Sequence, residues 1–539
     1  MSRQGRILIV EDEQRWRDAL TNTLRKGGFQ TEAVGTISEA WECLKEEFYH
    51  LAILDIRMED NSDPTDVEGM NLLRKLSEEG LTDAMGVIML SGHGTTDQMR
   101  ESFKRHNIQD FLSKDQFDNR EFLAQVKEIF AQKTLVNLDL AIHWQQINGN
   151  EEAVLNMRIG ETRIKHKSPM RALIAEEIND LLSRLFHRSD SILIKQLAPG
   201  FSGTAVLLVT PSSSTSGAGQ PFIVKCGDVK EINSEYQRFK DYVQNFIGGG
   251  RITSIMERRR TAHLGGIVYS LLGTASNRLE SFGNFYKRAE LPKIKDAIDD
   301  LFLVTCGQWY ANPGKVELHD LTAEYLQNLE LSPDGLEQDR INLKSAQGKE
   351  QLRISGLPED RLFTDPVSVM VKNYFVEPTY ICPTHGDLNE SNVLIDETGH
   401  TWLIDFGRTG LGHILRDVAE LDTSIRFQLL GENDATLDER LKLEDALCRA
   451  KQFSDLQGIA DNFETENTAL AKVYATVIHL RKLAKKLVER NLNASIKEYN
   501  IALFYYALGH LRYYSLPRMQ REHALISASL VAESFSEGK

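Results

Sequence analysis

At 539 residues and a formal net charge of −15, the chain is too long for one core. About 150 residues per domain predicts roughly three units, and the charge excludes bulk binding to nucleic acid or to an anionic membrane surface. Five widely spaced cysteines without a C-x-x-C pair exclude a disulfide framework or a zinc knuckle. With no signal-peptide stretch at the start and no apolar run near ~20 residues, the expectation is a cytoplasmic protein with no DNA and no membrane partner.

From residue 1 to about 130, short apolar runs alternate with amphipathic stretches. Strands are predicted at 6–10, 29–34, 51–54, 86–90 and 109–112. Helical faces follow from Trp16, Leu20 and Leu24 and from Phe122, Val126 and Phe130, each at four-residue spacing. Such alternation predicts a parallel sheet covered on both sides, with the site beyond the carboxyl ends of its strands. Those ends carry Glu11 and Asp12, then Asp55, Ser91 and Lys114. Three carboxylates converging there repel one another unless a hard divalent cation such as Mg²⁺ neutralises them. A hydroxyl and an ammonium opposite would hold phosphoryl oxygens. Taken singly, each residue would be an ordinary polar group at a loop end; the set of five is what singles them out.

This constellation resembles a response-regulator receiver domain, a flavodoxin-like doubly wound parallel sheet. The resemblance implies that Asp55 is the phosphoacceptor, that Glu11 and Asp12 help Asp55 bind Mg²⁺, and that Ser91, Lys114 and Phe111 form the receiver switch. It implies a cognate sensor histidine kinase or a small phosphodonor as partner, and a homodimer through the receiver as one assembly. The face around residues 96–105, 109–112 and 117–130, which leads into the segment that follows, is expected to meet the C-terminal domain or a second receiver. Two departures stand out. An acidic insertion, Glu59 to Glu68, separates Met58 from Gly69 where the family carries Met-Pro and a nearby glycine, and Asp115 replaces the proline after Lys114.

Residues 131–190 read as a connector. Ser168 and Pro169 open a helix with apolar Leu173, Ile174, Ile178, Leu181 and Leu185. Both a signalling helix and a plain linker fit. Residues 191–539 read as one further domain, with a small lobe over about 191–273 and a large helical lobe over about 274–539. A hairpin is predicted around Gly200 and Gly203, a turn able to cover phosphates. Lys225 then ends a strand, and Glu235 lies on the next helix, placed to pair with it; Glu231 is the runner-up.

The strongest signal is PTHGDLNESNVLID followed by TWLIDFGRTG. Phosphoryl transfer needs a carboxylate to orient and deprotonate a hydroxyl, and oxygen ligands for the metal on a triphosphate. Asp387 suits the first role; Asn392 and Asp405 suit the second. His-Gly-Asp for His-Arg-Asp, and no Ala-Pro-Glu after Asp405, separate the segment from protein kinases. It resembles the aminoglycoside phosphotransferase and choline kinase group, with the protein-kinase-like fold, an α+β two-lobed architecture. That resemblance implies Asp387 as the catalytic residue, Asn392 and Asp405 as metal ligands, and Gly200, Gly203, Lys225 and Glu235 around ATP. It further implies ATP and Mg²⁺ as cofactors, and Asp417 as a buttress of the catalytic loop. The chain is also similar to bacterial receiver fusions described as ternary complex-associated domains.

The leading expectation is an ATP-dependent phosphotransferase acting on a hydroxyl acceptor, a small molecule or a protein, and regulated through Asp55. A pseudokinase scaffold that binds nucleotide without turnover is the alternative; a transcription factor is disfavoured by charge. Arg258, Arg259 and Arg260, and the run from Arg481 to Arg490, read as solvated faces. His263, His319, His400 and His413 have no ligand spacing.

Overall fold

The computed structural model describes every residue except 1–2, 59–65, 93–103, 105, 107, 133–134, 200–202, 215–216, 247–251, 273–278, 344–349, 359–360, 460–462, 493 and 537–539. The chain forms two compact units, residues 1–236 with 254–270, and residues 237–253 with 271–539. Among the described residues no helix is long and apolar enough to cross a membrane.

The first unit begins with the receiver sheet. Strands β1 (Arg6–Val10), β2 (Gln30–Val34), β3 (Leu51–Asp55), β4 (Gly86–Ser91) and β5 (Asp110–Ser113) lie in the order β2-β1-β3-β4-β5. All are parallel. Helices α1 (Gln14–Lys26), α2 (Ile37–Glu46), α3 (Glu68–Glu78) and α4 (Asn119–Gln132) cover both faces. Strands β3 and β4 are buried along their whole length, as two-sided burial requires, which is why they read as continuous apolar runs rather than alternation. The five strands fall within a residue or two of the expected ones, and the doubly wound receiver fold is the observed one.

The stretch read as a connector is core structure. Strand β6 (Ala141–Trp144) runs parallel to β7 (Ser191–Pro199) and so extends the second sheet. Helix α5 (Met170–Leu185) starts where Ser168 and Pro169 predicted, but it is buried nearly all round. Its Ile174, Ile178, Leu181 and Leu185 pack with β7, β8 (Ala205–Ser213), β9 (Phe222–Asp228) and β11 (Leu264–Leu272). With β10 (Ile252–Arg260), the antiparallel part of this sheet runs β10-β11-β9-β8-β7. The segment before α5 showed no period because its contacts are made by short pieces, each too brief to repeat.

Polar residues on α5 tie the receiver to this sheet. Asp180 Oδ1 lies 2.8 Å from His50 Nε2, and Asp180 Oδ2 accepts from Arg184 Nε at 2.8 Å. Arg184 also donates to the Ala84 carbonyl at 2.5 Å. Arg6 bridges to Glu176, and Arg3 donates to the Asn179 carbonyl. These contacts use the amino ends of the receiver strands, the side opposite Asp55. The face expected to meet the C-terminal domain contributes none of them, and its 96–103 segment lies outside the described residues.

In the second unit, β12 (Ile381–Thr384) pairs with β15 (Gly410–His413), and β13 (Val393–Ile395) with β14 (Thr401–Leu403), both antiparallel. Helices α6 (Leu291–Asp299), α7 (Arg416–Ser424), α8 (Leu437–Leu447), α9 (Thr468–Val488), α10 (Ile496–His510) and α11 (Arg518–Ser536) form its helical body. Arg481, read as solvated, is buried against Asp422. Asp422 also takes Arg426 and the Tyr499 hydroxyl, so an internal carboxylate pulls that arginine inward.

Burial alone would raise the Asp180 carboxyl, but Arg184 and His50 outweigh it and hold it well below the usual carboxylate range. Replacing Asp180 with alanine strands the buried Arg184 guanidinium, and unfolding of the first unit should cost about 3–5 kcal/mol less than in the parent chain. A denaturant titration checks this. Because the native pKa is depressed, the contribution is complete above about pH 4 and is lost as acid approaches the native value.

Candidate functional site

Two polar centres emerge, one in each unit. In the receiver, β1 delivers Glu11 and β3 delivers Asp55 into a buried pocket. Lys114, just past β5, reaches both, with Nζ 2.9 Å from Glu11 Oε1 and 2.9 Å from Asp55 Oδ2. Ligand oxygens of Glu11, Asp12 and Asp55 all lie within 4.8 Å of one another. Ser91 is buried at the end of β4, and Phe111 lies half-buried on β5. Burial pushes the Glu11 carboxyl up to about 7, with Asp55 adding to the rise and Lys114 opposing it. Burial also raises the Asp55 carboxyl against the pull of Lys114. Glu11 Oε2 is buried with no hydrogen-bond partner. A buried carboxylate oxygen without a hydrogen bond, beside two other carboxylates, is a donor set that fits a hard cation.

The acidic insertion leaves this pocket in place. Met58 N–H donates to Asp66 Oδ2 at 2.9 Å, and Gly69 N–H to the Ile56 carbonyl at 3.0 Å, so the chain closes back on the acceptor strand. A Cβ at residue 69 would sit 1.7 Å from the Asp55 carbonyl oxygen, and only glycine fits there.

In the second unit the loop between β12 and β13 is held from below. Asp417 on α7 accepts from His385 N–H at 2.7 Å, Gly386 N–H at 2.9 Å and the Tyr310 hydroxyl at 2.7 Å. Glu420, one turn on, accepts from Leu388 N–H at 2.8 Å and the Tyr506 hydroxyl at 3.1 Å. Gly386 has φ +77, and a Cβ there would strike Arg416. At the top, Asn392 Nδ2 donates to Asp387 Oδ2 at 3.0 Å. The Asn392 carbonyl accepts from Ile404 N–H at 3.1 Å, which brings the next residue, Asp405, to the same edge. Asp405 itself is left-handed at φ +66, a conformation costing about 1–3 kcal/mol that clusters where function over-determines the backbone. Phe406 anchors it, buried against Phe239 and His385.

Of the remaining expected residues, Lys225 and Glu235 form a buried ion pair at 2.6 Å in the first unit, with the Tyr269 hydroxyl on Glu235. Glu231 is exposed. Gly203 turns at φ +83, while Gly200 lies outside the described residues. His263 pairs with Glu177, and His413 is buried beside Tyr325 and Glu498. Sequence reasoning found Asp417 but missed Glu420, whose three-residue spacing from Asp417 on one helix face was the available signal. Burial drives the Glu420 carboxyl well above its ordinary value, with Asp387 and Asp417 adding to the rise.

Removing Asp417 strands two buried N–H groups and a hydroxyl. Asp417→Ala should therefore destabilise the second unit by about 3 kcal/mol or more, read from its thermal transition.

The family described as Response regulator receiver domain matches residues 7–127, and the family described as Ternary complex associated domain 9 matches residues 190–339 and 361–512. The transcriptional regulatory protein GltR of Pseudomonas aeruginosa is 32% identical over 130 residues, 24% of this chain and 50% of that protein. The hydrogenase transcriptional regulatory protein HoxA of Bradyrhizobium diazoefficiens is 25% identical over 252 residues, 44% of this chain and 48% of that protein. The chain thus spans about half the length of the curated relatives it matches. Among solved structures, a CheY-like receiver domain protein from Methanospirillum hungatei is 26% identical, covering 24% of this chain and 96% of its own at a TM-score of 0.22. A response regulator from Thermotoga maritima is 25% identical, covering 24% and 100% at a TM-score of 0.21. With more than half of its residues matched, this chain, a receiver domain of the two-component type fused to a C-terminal domain, belongs to the Ternary complex associated domain 9 family.

Proposed function

We propose that the chain is a response regulator whose output is ATP-dependent phosphoryl transfer to a hydroxyl acceptor. The observation that carries the output reading is the Asp387–Asn392 hydrogen bond beside the strained Asp405-Phe406-Gly407 turn. The buried Lys225–Glu235 ion pair of the first unit, taken by itself, also supports a kinase-like reading. In this reading Asp387 accepts a hydrogen bond from the acceptor hydroxyl and takes its proton as the oxygen attacks the terminal phosphorus of ATP, while the bond from that phosphorus to the bridging oxygen breaks and ADP leaves. Asn392 fixes the Asp387 carboxylate, and with Asp405 it would hold Mg²⁺, which supplies charge neutralisation on the triphosphate. Lys225, oriented by Glu235, would meet the ATP phosphates. Asp417 and Glu420 keep the loop's backbone rigid without touching substrate. The two curated relatives are named as transcriptional regulators, but a net charge of −15 disfavours DNA as this chain's target.

On the receiver side, Asp55 is the proposed phosphoacceptor and Glu11, Asp12 and Asp55 the proposed Mg²⁺ ligands. The orphaned oxygen of Glu11 supports the second assignment. Lys114, already on Asp55, would follow the new phosphoryl oxygens together with Ser91, and Phe111 would respond on β5.

Incubation with acetyl phosphate and Mg²⁺ should place one phosphoryl group on the receiver, and Asp55→Asn should abolish it by mass spectrometry. Since Glu11 must shed its proton to ligate and titrates at about 7, Mg²⁺ affinity should rise about tenfold between pH 6 and pH 8, then level off. Fluorescence or calorimetric titration of the unphosphorylated protein reads this directly, and a flat profile counts against Glu11 as a ligand.

For the output, Asp387→Asn should cut ATP turnover by ~10²–10⁴-fold and leave nucleotide binding intact, whereas Asp405→Asn should also weaken Mg-ATP binding. Unimpaired turnover in both variants would refute the phosphotransferase reading.

A further inference from the structure

At Gly86, strand β4 opens onto a cleft of about 410 Å³ inside the first unit. Its walls come from the receiver, through His50, Asp83 and Gln109, and from Arg184 on α5. The end of β10 adds Arg258, Arg259 and Arg260. Four guanidinium groups thus line one space, and Asp83 is the only carboxylate among the lining residues. The sequence had suggested that the three consecutive arginines form a plain solvated face. Only Arg258 is exposed, while Arg259 and Arg260 are half-buried.

The bonding of Arg258 and Arg260 leaves their charge without a carboxylate partner among the described residues. Arg184 is committed to Asp180. Arg258 donates to Asn233 Oδ1 at 3.2 Å and lies over the Tyr236 ring at 4.3 Å, both neutral partners. Arg260 donates to the carbonyls of Glu79, Thr261 and Ala262, again without a carboxylate in ion-pair contact among the described residues. Arg259 pairs with Glu257 at 3.0 Å, yet its Nε is buried with no partner. Burial works against the Arg260 cation, and Asp83, Glu177, Asp228 and Glu79 act against that penalty from beyond bonding distance.

Guanidinium groups present planar forks of donors that match phosphate oxygens, and charge-assisted bonds in a half-buried cleft are stronger than those on an open surface. The volume falls in the range of small-molecule sites. We propose that this cleft binds a small phosphate-bearing anion, up to the size of a nucleotide, held chiefly by Arg258, Arg259 and Arg260. The assignment does not depend on phosphoryl transfer in the second unit. Because β4 carries Ser91 at its other end, an anion here would touch the strand that also borders Asp55.

The test is calorimetric titration of the full chain with inorganic pyrophosphate and, separately, with adenosine diphosphate. EDTA in both keeps metal-dependent sites silent. One saturable site is expected, weakening with salt. The double variant Arg258→Ser, Arg259→Ser should loosen it by about tenfold or more, the equivalent of about 1.4 kcal/mol. Arg258→Ser alone, at an exposed position, keeps the test valid if the double variant melts early. Arg163→Ser, an exposed arginine of the same unit outside the cleft, should change nothing. Tighter binding of the nucleotide than of pyrophosphate would assign the ligand as a nucleotide, and equal binding as a free phosphate or diphosphate. No saturable binding below about 1 mM, or binding untouched by loss of Arg258 and Arg259, overturns the proposal.

Discussion

Asp180 holds the first unit together. A carboxylate buried on a helix is costly unless its lone pairs are met, and here they are met from two sides. His50 comes from the start of β3, and Arg184 comes from one turn further along α5 and continues to the Ala84 carbonyl before β4. Receiver and helix therefore share one polar knot, while the apolar residues of α5 pack on the second sheet. Burial of this kind fixes orientation more than it adds stability, because the knot is satisfied in one arrangement only.

The second unit uses the same device more than once. Asp422 gathers Arg426, Arg481 and the Tyr499 hydroxyl, while Glu444 takes Arg426 and His523. Arg426 holds its charge firmly because, despite burial, Asp422 and Glu444 flank it. Beside that network stand Asp417 and Glu420 under the Asp387 loop. Helices carrying internal charges thus form a stiff base for a loop whose own residues are mostly small and polar.

The legible parts of the chain were those where one physical signal acts locally. The five receiver strands announced themselves by short apolar runs, two of them ending in acids, and the Asp387, Asn392 and Asp405 spacing was visible in one dimension. Glu235 was preferred over Glu231 because it lay beside an apolar face, and the ion pair with Lys225 follows that logic. Three things stayed hidden because they depend on partners distant in sequence. Residues 133–167 carry no strong period, since their strand pairs with β7 and their other contacts are made by short pieces, so their place in the core was not legible. Arg481 looks like a surface cation until Asp422 is folded against it. Arg258 to Arg260 gave a charge run, and nothing in the run told that half of the cleft wall would come from the receiver.

The clasp around the acidic insertion has a consequence for how this receiver tolerates change. Asp66 accepts from the Met58 and Glu68 N–H groups, and Gly69 returns the chain to Ile56, so the ends of the intervening stretch are pinned independently of its content. Closing a longer loop between fixed ends adds only about 0.6 kcal/mol per doubling of its length. A change of length between Met58 and Asp66 is therefore expected to cost the fold little, because the register of the acceptor strand that carries Asp55 is set by the Asp66 and Gly69 hydrogen bonds instead.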